Sequence, residues 1–201
     1  CKLLHATQLK IIGANLPVGY LMSSLNLNLN SIISLNNLKI DSSSYVTADL
    51  MINLTAPIDS FDVYLSFGIN TTKAQFTSVL SPTNFSVLSS SVVGSDLNIS
   101  GYGNLLGSST QTIASGQTKL GSISFNIGSQ TQFQISVLSG TDFVNSNNST
   151  IINIPASNVS VISNSSGLSI INVATLPTNG STPTTGPVAA YSPVLVDSST
   201  L

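Results

Sequence analysis

Leucine and asparagine alternate without interruption in the stretch LNLNLN at residues 25–30. Because successive side chains of an extended strand point to opposite faces, this stretch predicts a strand with one apolar face and one uncharged polar face. The same period of two recurs further along, most strongly in Phe61, Val63, Leu65, Phe67 and Ile69. An amphipathic helix needs a period of about 3.6 residues, so the pattern restricts the chain to β-structure.

Further short strands follow the same pattern and are separated by turns rich in Gly, Ser and Asn. Their inward-facing positions are Leu25, Leu27, Leu29, Ile33 and Leu35; Val46, Ala48, Leu50, Ile52 and Leu54; Phe85 and Val87; Leu97 and Ile99; Ile123, Phe125 and Ile127; Phe133, Ile135 and Val137; Ile152 and Ile154; Val159 and Val161. Such spacing is typical of antiparallel sandwiches and barrels. We predict an all-β fold, an antiparallel jelly-roll or immunoglobulin-like β-sandwich with an extended N-terminal strand segment. One helical turn would fit within 71–76.

Changes in composition divide the chain into three parts. Residues 1–24 form an N-terminal extension of moderate strand character, which Pro17 and Gly19 separate from the strands after it. Residues 25–175 hold the sandwich strands. Residues 176–201 begin with the Pro/Thr-rich sequence LPTNGSTPTTGP, which is typical of an extended linker, and continue with VAAYSPVLV, a candidate C-terminal strand.

Charge is scarce: 6% of residues are charged, against about 25% in ordinary soluble domains. The chain contains no Arg and no Glu, and its net charge of −2 argues against nucleic acid as a partner, because phosphate binding needs clustered cations. No apolar run approaches the ~18 residues of a membrane-spanning helix. A surface this neutral has little colloidal repulsion, which indicates either assembly or solubilisation by glycans.

The first residue, Cys1, is the only cysteine, so no intrachain disulfide is expected. The stretch CKLLHATQLK lacks the regions of a signal peptide, so the chain is either cytosolic or already processed, and the composition favours a processed chain. Cys1 resembles the acylated first residue of a mature bacterial lipoprotein. A free terminal thiol, or a chain boundary that happens to fall at this position, is an alternative that is at least as open.

Residues 45–163 resemble a cohesin-type module in the order of their strand signals. The segments that carry the resemblance are SYVTADLMINLTAPIDSFDVYLSF, TKAQFTSVLSPTNF, SGQTKLGSISFNI, TQFQISVLSGTDFVNSNNSTI and NVSVI. The resemblance covers a little over half of the chain. It implies a nine-stranded jelly-roll sandwich, and no dockerin-contacting residue is carried over from the family.

Residues suited to catalysis or to metal binding are few. The only histidine, His5, lies in the N-terminal extension, and no nucleophile elbow is present. Paired-carboxylate chemistry would need two aspartates such as Asp59 and Asp62, and the latter falls on the outward parity of its strand. Zinc ligands are lacking. Calcium would have Asp59, Asp62 or Asp142, without EF-hand spacing. We expect no enzyme activity, no metal site and no cofactor.

Asn-x-Ser/Thr sequons are frequent and in phase with the strands. They lie at Asn53, Asn70, Asn84, Asn98, Asn147, Asn148, Asn158, Asn164 and Asn179. Five of them, at positions 53, 70, 84, 98 and 158, fall on the outward parity next to an inward apolar residue. Several are expected to carry N-linked glycans, which need the outer surface.

The first functional hypothesis is a structural subunit of an extracellular, cell-surface filament, similar to a pilus or thread. Identical subunits would assemble head to tail by donor-strand complementation, in which an extended segment completes the next subunit's sheet. The donor segment is 1–24 with plug residues Leu3, Leu9 and Ile11, or alternatively Leu25, Leu27 and Leu29. The second choice of donor is the C-terminal VAAYSPVLV, which Pro193 interrupts. The composition resembles that of surface proteins of thermoacidophilic archaea, including their glycosylated filaments.

The alternative hypothesis is a monomeric surface module, either cohesin-like or carbohydrate-binding, tethered by the Pro/Thr-rich linker. Sugar binding favours exposed aromatic rings. The chain has no Trp, and Tyr64 is the aromatic that the alternation places on the outside of a core strand.

Overall fold

A computed structural model describes residues 24–41, 43–68, 72–92, 95–164 and 167–175. These residues form fifteen antiparallel strands and no helix, which confirms the all-β prediction. The expected helical turn at 71–76 is wrong, because Thr72–Ser78 is a strand paired along β10. The first described strand begins at Leu25 and the last one ends at Thr175.

Two sheets pack face to face. The five-stranded sheet has the order β1–β2–β3–β10–β5, and its strands are β1 (Leu25–Asn28), β2 (Ile33–Ile40), β3 (Tyr45–Leu54), β5 (Thr72–Ser78) and β10 (Gly116–Asn126). The eight-stranded sheet contains β4 (Ser60–Ser66), β6 (Phe85–Val92), β7 (Asp96–Gly103), β11 (Gln132–Val137), β12 (Asp142–Asn145), β13 (Thr150–Asn153), β14 (Ser157–Asn164) and β15 (Gly167–Thr175). A small hairpin, β8 (Leu105–Leu106) with β9 (Ser109–Thr110), projects between β7 and β10.

Strand β4 organises the eight-stranded sheet. Its whole length pairs with β7 on one side, and β6 continues the sheet beyond β7. On the other side β12 pairs with the first half of β4 and β11 with its end. The fifteen described strands exceed the nine that the family resemblance implies, and several of them, such as β8, β9 and β12, are only two to four residues long.

Apolar positions alternate in the strands as the sequence predicts. In β3 the residues Val46, Ala48, Leu50, Ile52 and Leu54 are all buried. An aromatic cluster joins the two sheets: the ring of Phe125 on β10 stacks on Phe67 at a centroid distance of 4.2 Å and meets Phe133 edge-on at 5.6 Å. Burial of these faces against one another is the main stabilising term of the sandwich.

The LNLNLN stretch forms β1 and the turn after it, inside the chain's own sandwich. Leu27 and Leu29 are buried in the core, and Leu25 packs against it. The side-chain amides of Asn26 and Asn30 accept hydrogen bonds from backbone N–H groups. The Asn26 Oδ1 atom accepts the N–H of Asn37 at 3.0 Å, and the Asn30 Oδ1 atom accepts two N–H groups at the start of β2. An amide can accept these bonds, whereas the ammonium of a lysine cannot.

Candidate functional site

The outer face of the eight-stranded sheet carries two neighbouring rows of side chains across β6, β7, β4, β12 and β13. We call these ten residues the Tyr102 face. The first row is Ser86, Tyr102, Ser60, Val144 and Ile151, and the second is Leu88, Ser100, Asp62, Asp142 and Asn153. Neighbouring strands lie about 4.8 Å apart, so the rows form one continuous surface.

Three large apolar side chains of the Tyr102 face are exposed. Leu88 is 63% exposed, Ile151 59% and Tyr102 51%. Tyr102 and Leu88 are diagonal neighbours on paired strands, a spacing at which large side chains touch a common partner. Apolar side chains grouped on an outer surface with polar neighbours are typical of interaction sites.

Two carboxylates, Asp62 and Asp142, oppose each other directly on β4 and β12. The Ser100 hydroxyl donates a hydrogen bond to Asp62. Burial raises the pKa of the Asp142 carboxyl above its ordinary value, and the charge of Asp62 raises that pKa further. Within the described ranges every lysine lies on a strand of the other sheet, so no ammonium group compensates this pair.

The opposed carboxylates predict an unusual pH dependence for Asp142→Asn. The pKa of Asp142 in the folded state lies above the unfolded value of 3.8, so the folded state binds the proton more tightly. Stability therefore falls as pH rises from the unfolded pKa to the folded pKa. We expect the variant to be more stable than the wild type at pH 7, by about 0.2–1 kcal/mol, and equal to it at pH 3. Urea unfolding at both pH values measures this.

The matched control is Asp49→Asn on the other sheet. Hydrogen bonds from Lys119 and then Asn37 hold the pKa of Asp49 below 3.8, so its contribution is present above that value and is lost as pH falls through the folded pKa. This variant should therefore lose stability at pH 7. Destabilisation of both variants at pH 7 would contradict the account of Asp142.

The sequons differ in exposure. Asn53, Asn84, Asn147 and Asn148 are exposed, whereas Asn98 and Asn158 are half-buried. The Asn158 side-chain nitrogen donates to Gln134 Oε1 at 3.3 Å, and its buried Oδ1 has no hydrogen-bond partner among the described residues. Asn164 ends β14, and its side chain, like Asn70 and Asn179, lies outside the described residues.

This difference predicts which sequons carry glycans in the native protein. We expect Asn53, Asn84 and one of the adjacent pair Asn147 and Asn148 to be occupied, because their nitrogens are open to solvent. Asn158 should be bare, since its side chain is half-buried and its nitrogen is already hydrogen-bonded to Gln134. Glycopeptide mass spectrometry measures occupancy, and a fully glycosylated Asn158 with bare Asn53 and Asn84 would contradict the prediction.

The remaining candidate residues of the sequence have structural roles or lie outside the described ranges. Asp59 points inward, is 4% exposed, and accepts hydrogen bonds from the backbone and hydroxyl of Ser146, so it joins two loops. No three metal-ligating side chains group together in the described ranges, and no described helix could cross a membrane. Among the candidate residues, those in the N-terminal extension lie outside the described ranges, namely Cys1, Leu3, His5, Leu9 and Ile11.

Tyr64 is not the principal exposed aromatic. Its ring lies beside Gly140, where an added Cβ would be 3.7 Å from it, and the side chain is half-buried. Among the described residues Tyr102 is the exposed aromatic ring, and the alternation missed it because Gly101 occupies the inward position before it. That glycine leaves room for Phe61, whose ring would lie 2.5 Å from a Cβ there. A glycine at an inward position of a strand is the signal that could have extended the pattern to Tyr102.

Comparison with known proteins places the fold. No protein-family model matches the chain, and no curated protein matches its sequence. A cohesin module from a Clostridium perfringens family 33 glycoside hydrolase is similar with a TM-score of 0.50 and 14% identity, over 70% of this chain and 97% of that module. The chain therefore has a cohesin-like β-sandwich, as the family resemblance implied.

Two structures from Acetivibrio cellulolyticus are similar at lower scores. The cohesin in a type II cohesin–X–dockerin complex gives a TM-score of 0.45 at 12% identity, over 65% of this chain and 91% of that one. A type II cohesin domain from the cellulosome gives 0.44 at 13% identity, over 65% and 88%.

Proposed function

We propose that this chain is a non-enzymatic binding module of the extracellular surface, which docks a protein partner through the Tyr102 face. The cohesin-like sandwich supports this proposal, because the solved structure of that fold at a TM-score of 0.50 is itself a cohesin module of a glycoside hydrolase. The single observation on which the choice of face rests is the opposed pair Asp62 and Asp142, which no lysine of the described ranges compensates and which exposed apolar side chains border.

The chemistry of the face defines the partner. Two opposed carboxylates favour a lysine or arginine that reaches between them, and such a contact would relieve their mutual repulsion. Tyr102, Leu88 and Ile151 would cover apolar parts of the same partner and exclude water from the ion pair. The module is therefore expected to bind a protein segment with a basic side chain in an apolar setting.

A photo-crosslinking amino acid placed at Leu88 tests the docking face in the source organism. The matched control position is Thr77, which is exposed on the outer side of β5 in the other sheet. We expect a specific adduct from position 88 and none from position 77, and the crosslinked peptide should contain Lys or Arg. In the variant Asp62→Asn/Asp142→Asn the adduct yield should fall about tenfold or more. Equal adducts from both positions, or adducts that survive the double substitution, would refute this face.

The filament subunit remains the second candidate. The described feature that favours it is the pair of sheet edges β6 and β15: each pairs with one described strand only, and neither contains a charged residue. Open uncharged edges are where another chain can add a strand. The donor segment 1–24 and its plugs stay a prediction, while Leu25, Leu27 and Leu29 fill the chain's own core.

Negative-stain electron microscopy of the purified full chain separates the two candidates. Isolated particles at all concentrations support the binding module. Fibres that disappear when residues 1–24 are deleted would support the filament subunit instead, with identical chains as its partners.

A further inference from the structure

The outer face of the five-stranded sheet, opposite the Tyr102 face, contains a polar groove of about 430 Å³. It is lined by Ser24, Asn37, Lys39, Thr47, Ala48, Asp49 and Ser122, and we call it the Lys39 groove. Its volume lies within the roughly 300–1,000 Å³ of ordinary small-ligand sites. No aromatic or large aliphatic side chain lines it, so its chemistry suits a hydrophilic ligand.

A β-bulge shapes this groove. The pairing of β2 with β3 shifts register between Asn36 and Lys39, and Asn37 within the bulge has a φ of 55°, in the left-handed region. Two hydrogen bonds hold this uncommon backbone: Asn26 Oδ1 accepts the Asn37 N–H at 3.0 Å, and the Asn37 side chain donates to Asp49 Oδ2 at 2.8 Å. Bulges of this kind redirect side chains next to binding sites.

Charge in the groove is not balanced. Both carboxylate oxygens of Asp49 already have partners. Lys119 Nζ lies 2.6 Å from Oδ1 and Ser122 donates to the same atom at 3.2 Å, while the Asn37 side chain donates to Oδ2. The side chain of Asp41, two residues beyond Lys39, accepts hydrogen bonds from the N–H groups of Ser43 and Tyr45. Lys39 has no ion pair within the described parts of the chain. Among the residues that the structure describes, the groove therefore presents an ammonium group without an ion-pair partner beside the hydroxyls of Ser24 and Thr47.

We propose that the Lys39 groove binds a small hydroxylated carboxylate, of the sugar-acid class. Lys39 Nζ donates to the ligand carboxylate, and the hydroxyls of Thr47 and Ser24 bond to ligand hydroxyls at the two sides of the ammonium group. The bulge at Asn37 and the Asp49–Lys119 pair keep the lining in place without competing for the ligand charge. This site is independent of the Tyr102 face, which lies on the other sheet.

Two-dimensional NMR titration of the full chain with D-glucuronate tests the proposal. We expect saturable shifts of the Asn37, Thr47 and Ser122 amides with a dissociation constant on the order of 1 mM. D-glucose, which lacks the carboxylate, and acetate, which lacks the hydroxyls, should each bind about tenfold more weakly or worse. Absence of shifts with glucuronate, or equal binding of glucose or acetate, would overturn the assignment.

Substitutions of Lys39 test whether its positive charge binds the ligand carboxylate. Lys39→Gln should weaken glucuronate binding about tenfold or more, whereas Lys39→Arg should retain it, since both cations donate to a carboxylate. Lys73→Gln makes the same charge change on β5 of the same sheet and should leave binding unchanged. Unchanged binding in Lys39→Gln would refute the proposal. A polyuronate oligomer that binds more tightly per residue than glucuronate would identify a polymer as the source of the ligand, and equal binding would identify the free acid.

Discussion

Phe125→Ala is expected to lower the free energy of unfolding by about 3–5 kcal/mol, the range observed when a buried phenylalanine is truncated. Phe125 is fully buried on β10 and contacts Phe133 on β11 of the opposite sheet and Phe67, which directly follows β4 of that sheet. The variant would leave a cavity at the point where the two sheets are held together. Since small domains have a total stability of about 5–15 kcal/mol, a large part of it depends on this ring.

Urea unfolding followed by far-ultraviolet circular dichroism measures the loss. Phe125→Leu keeps most of the volume and should cost much less, about 1.5 kcal/mol or below. Leu105→Ala, at a side chain that is 69% exposed on the β8–β9 hairpin, should change stability by no more than about 0.5 kcal/mol. Losses of similar size in Phe125→Ala and Leu105→Ala would show that the aromatic cluster does not hold the sheets together.

The strands and their buried faces could be predicted from sequence because the signal is local. A period of two at Val46 to Leu54, or at Phe61 to Phe67, fixes which side chains enter the core wherever the strand pairs. The same reasoning fails where one residue breaks the period. The bulge at Asn37 shifts the register of β2. Gly101 has no apolar side chain to continue the alternation, so the outward position of Tyr102 could not be predicted from it.

The candidate sites could not be predicted because they depend on pairing between distant segments. Asp62 and Asp142 are separated by most of the domain in sequence, and only the register of β4 with β12 makes them neighbours. The Lys39 groove likewise combines β2, β3 and β10 with Ser24, which directly precedes β1. Local propensity carries no information about such registers, which are set by the packing of the whole sandwich.

The few charges of the chain are distributed unevenly between the two outer faces. The described lysines lie on β2, β5 and β10 of the five-stranded sheet, while the Asp62–Asp142 pair lies on the other sheet. In a chain with 6% charged residues, each unpaired charge is a large part of the local electrostatic field. The two faces are thus suited to ligands of opposite charge, a basic protein segment on one and a carboxylate on the other.

Gly103→Ala is expected to destabilise the fold by about 3 kcal/mol, or to displace the β8–β9 hairpin. Gly103 ends β7 and donates its N–H to the Asp59 carbonyl oxygen at 2.6 Å. The chain returning from the hairpin passes directly over it, so that a Cβ at this position would lie 1.8 Å from the Gln111 carbonyl oxygen. The Gln111 oxygen is a backbone atom and the position of a Cβ is fixed by its own backbone, so no rotamer change can relieve the overlap. Forcing extra atoms into such contacts typically costs about 1–3 kcal/mol and sometimes more.

Gly107→Ala separates this steric effect from the general cost of replacing a glycine. Gly107 has a φ of 67° at the tip of the same hairpin, and an added Cβ would meet nothing within 4 Å. Its replacement should cost about 1–2 kcal/mol from backbone strain alone and change amide chemical shifts only near the turn. Gly103→Ala should instead shift the amides of Asn104, Gln111 and Asp59 together, because the hairpin must move as a unit away from the sheet. If Gly103→Ala is no less stable than Gly107→Ala and leaves those amides in place, the close crossing of Gln111 over β7 does not constrain the hairpin.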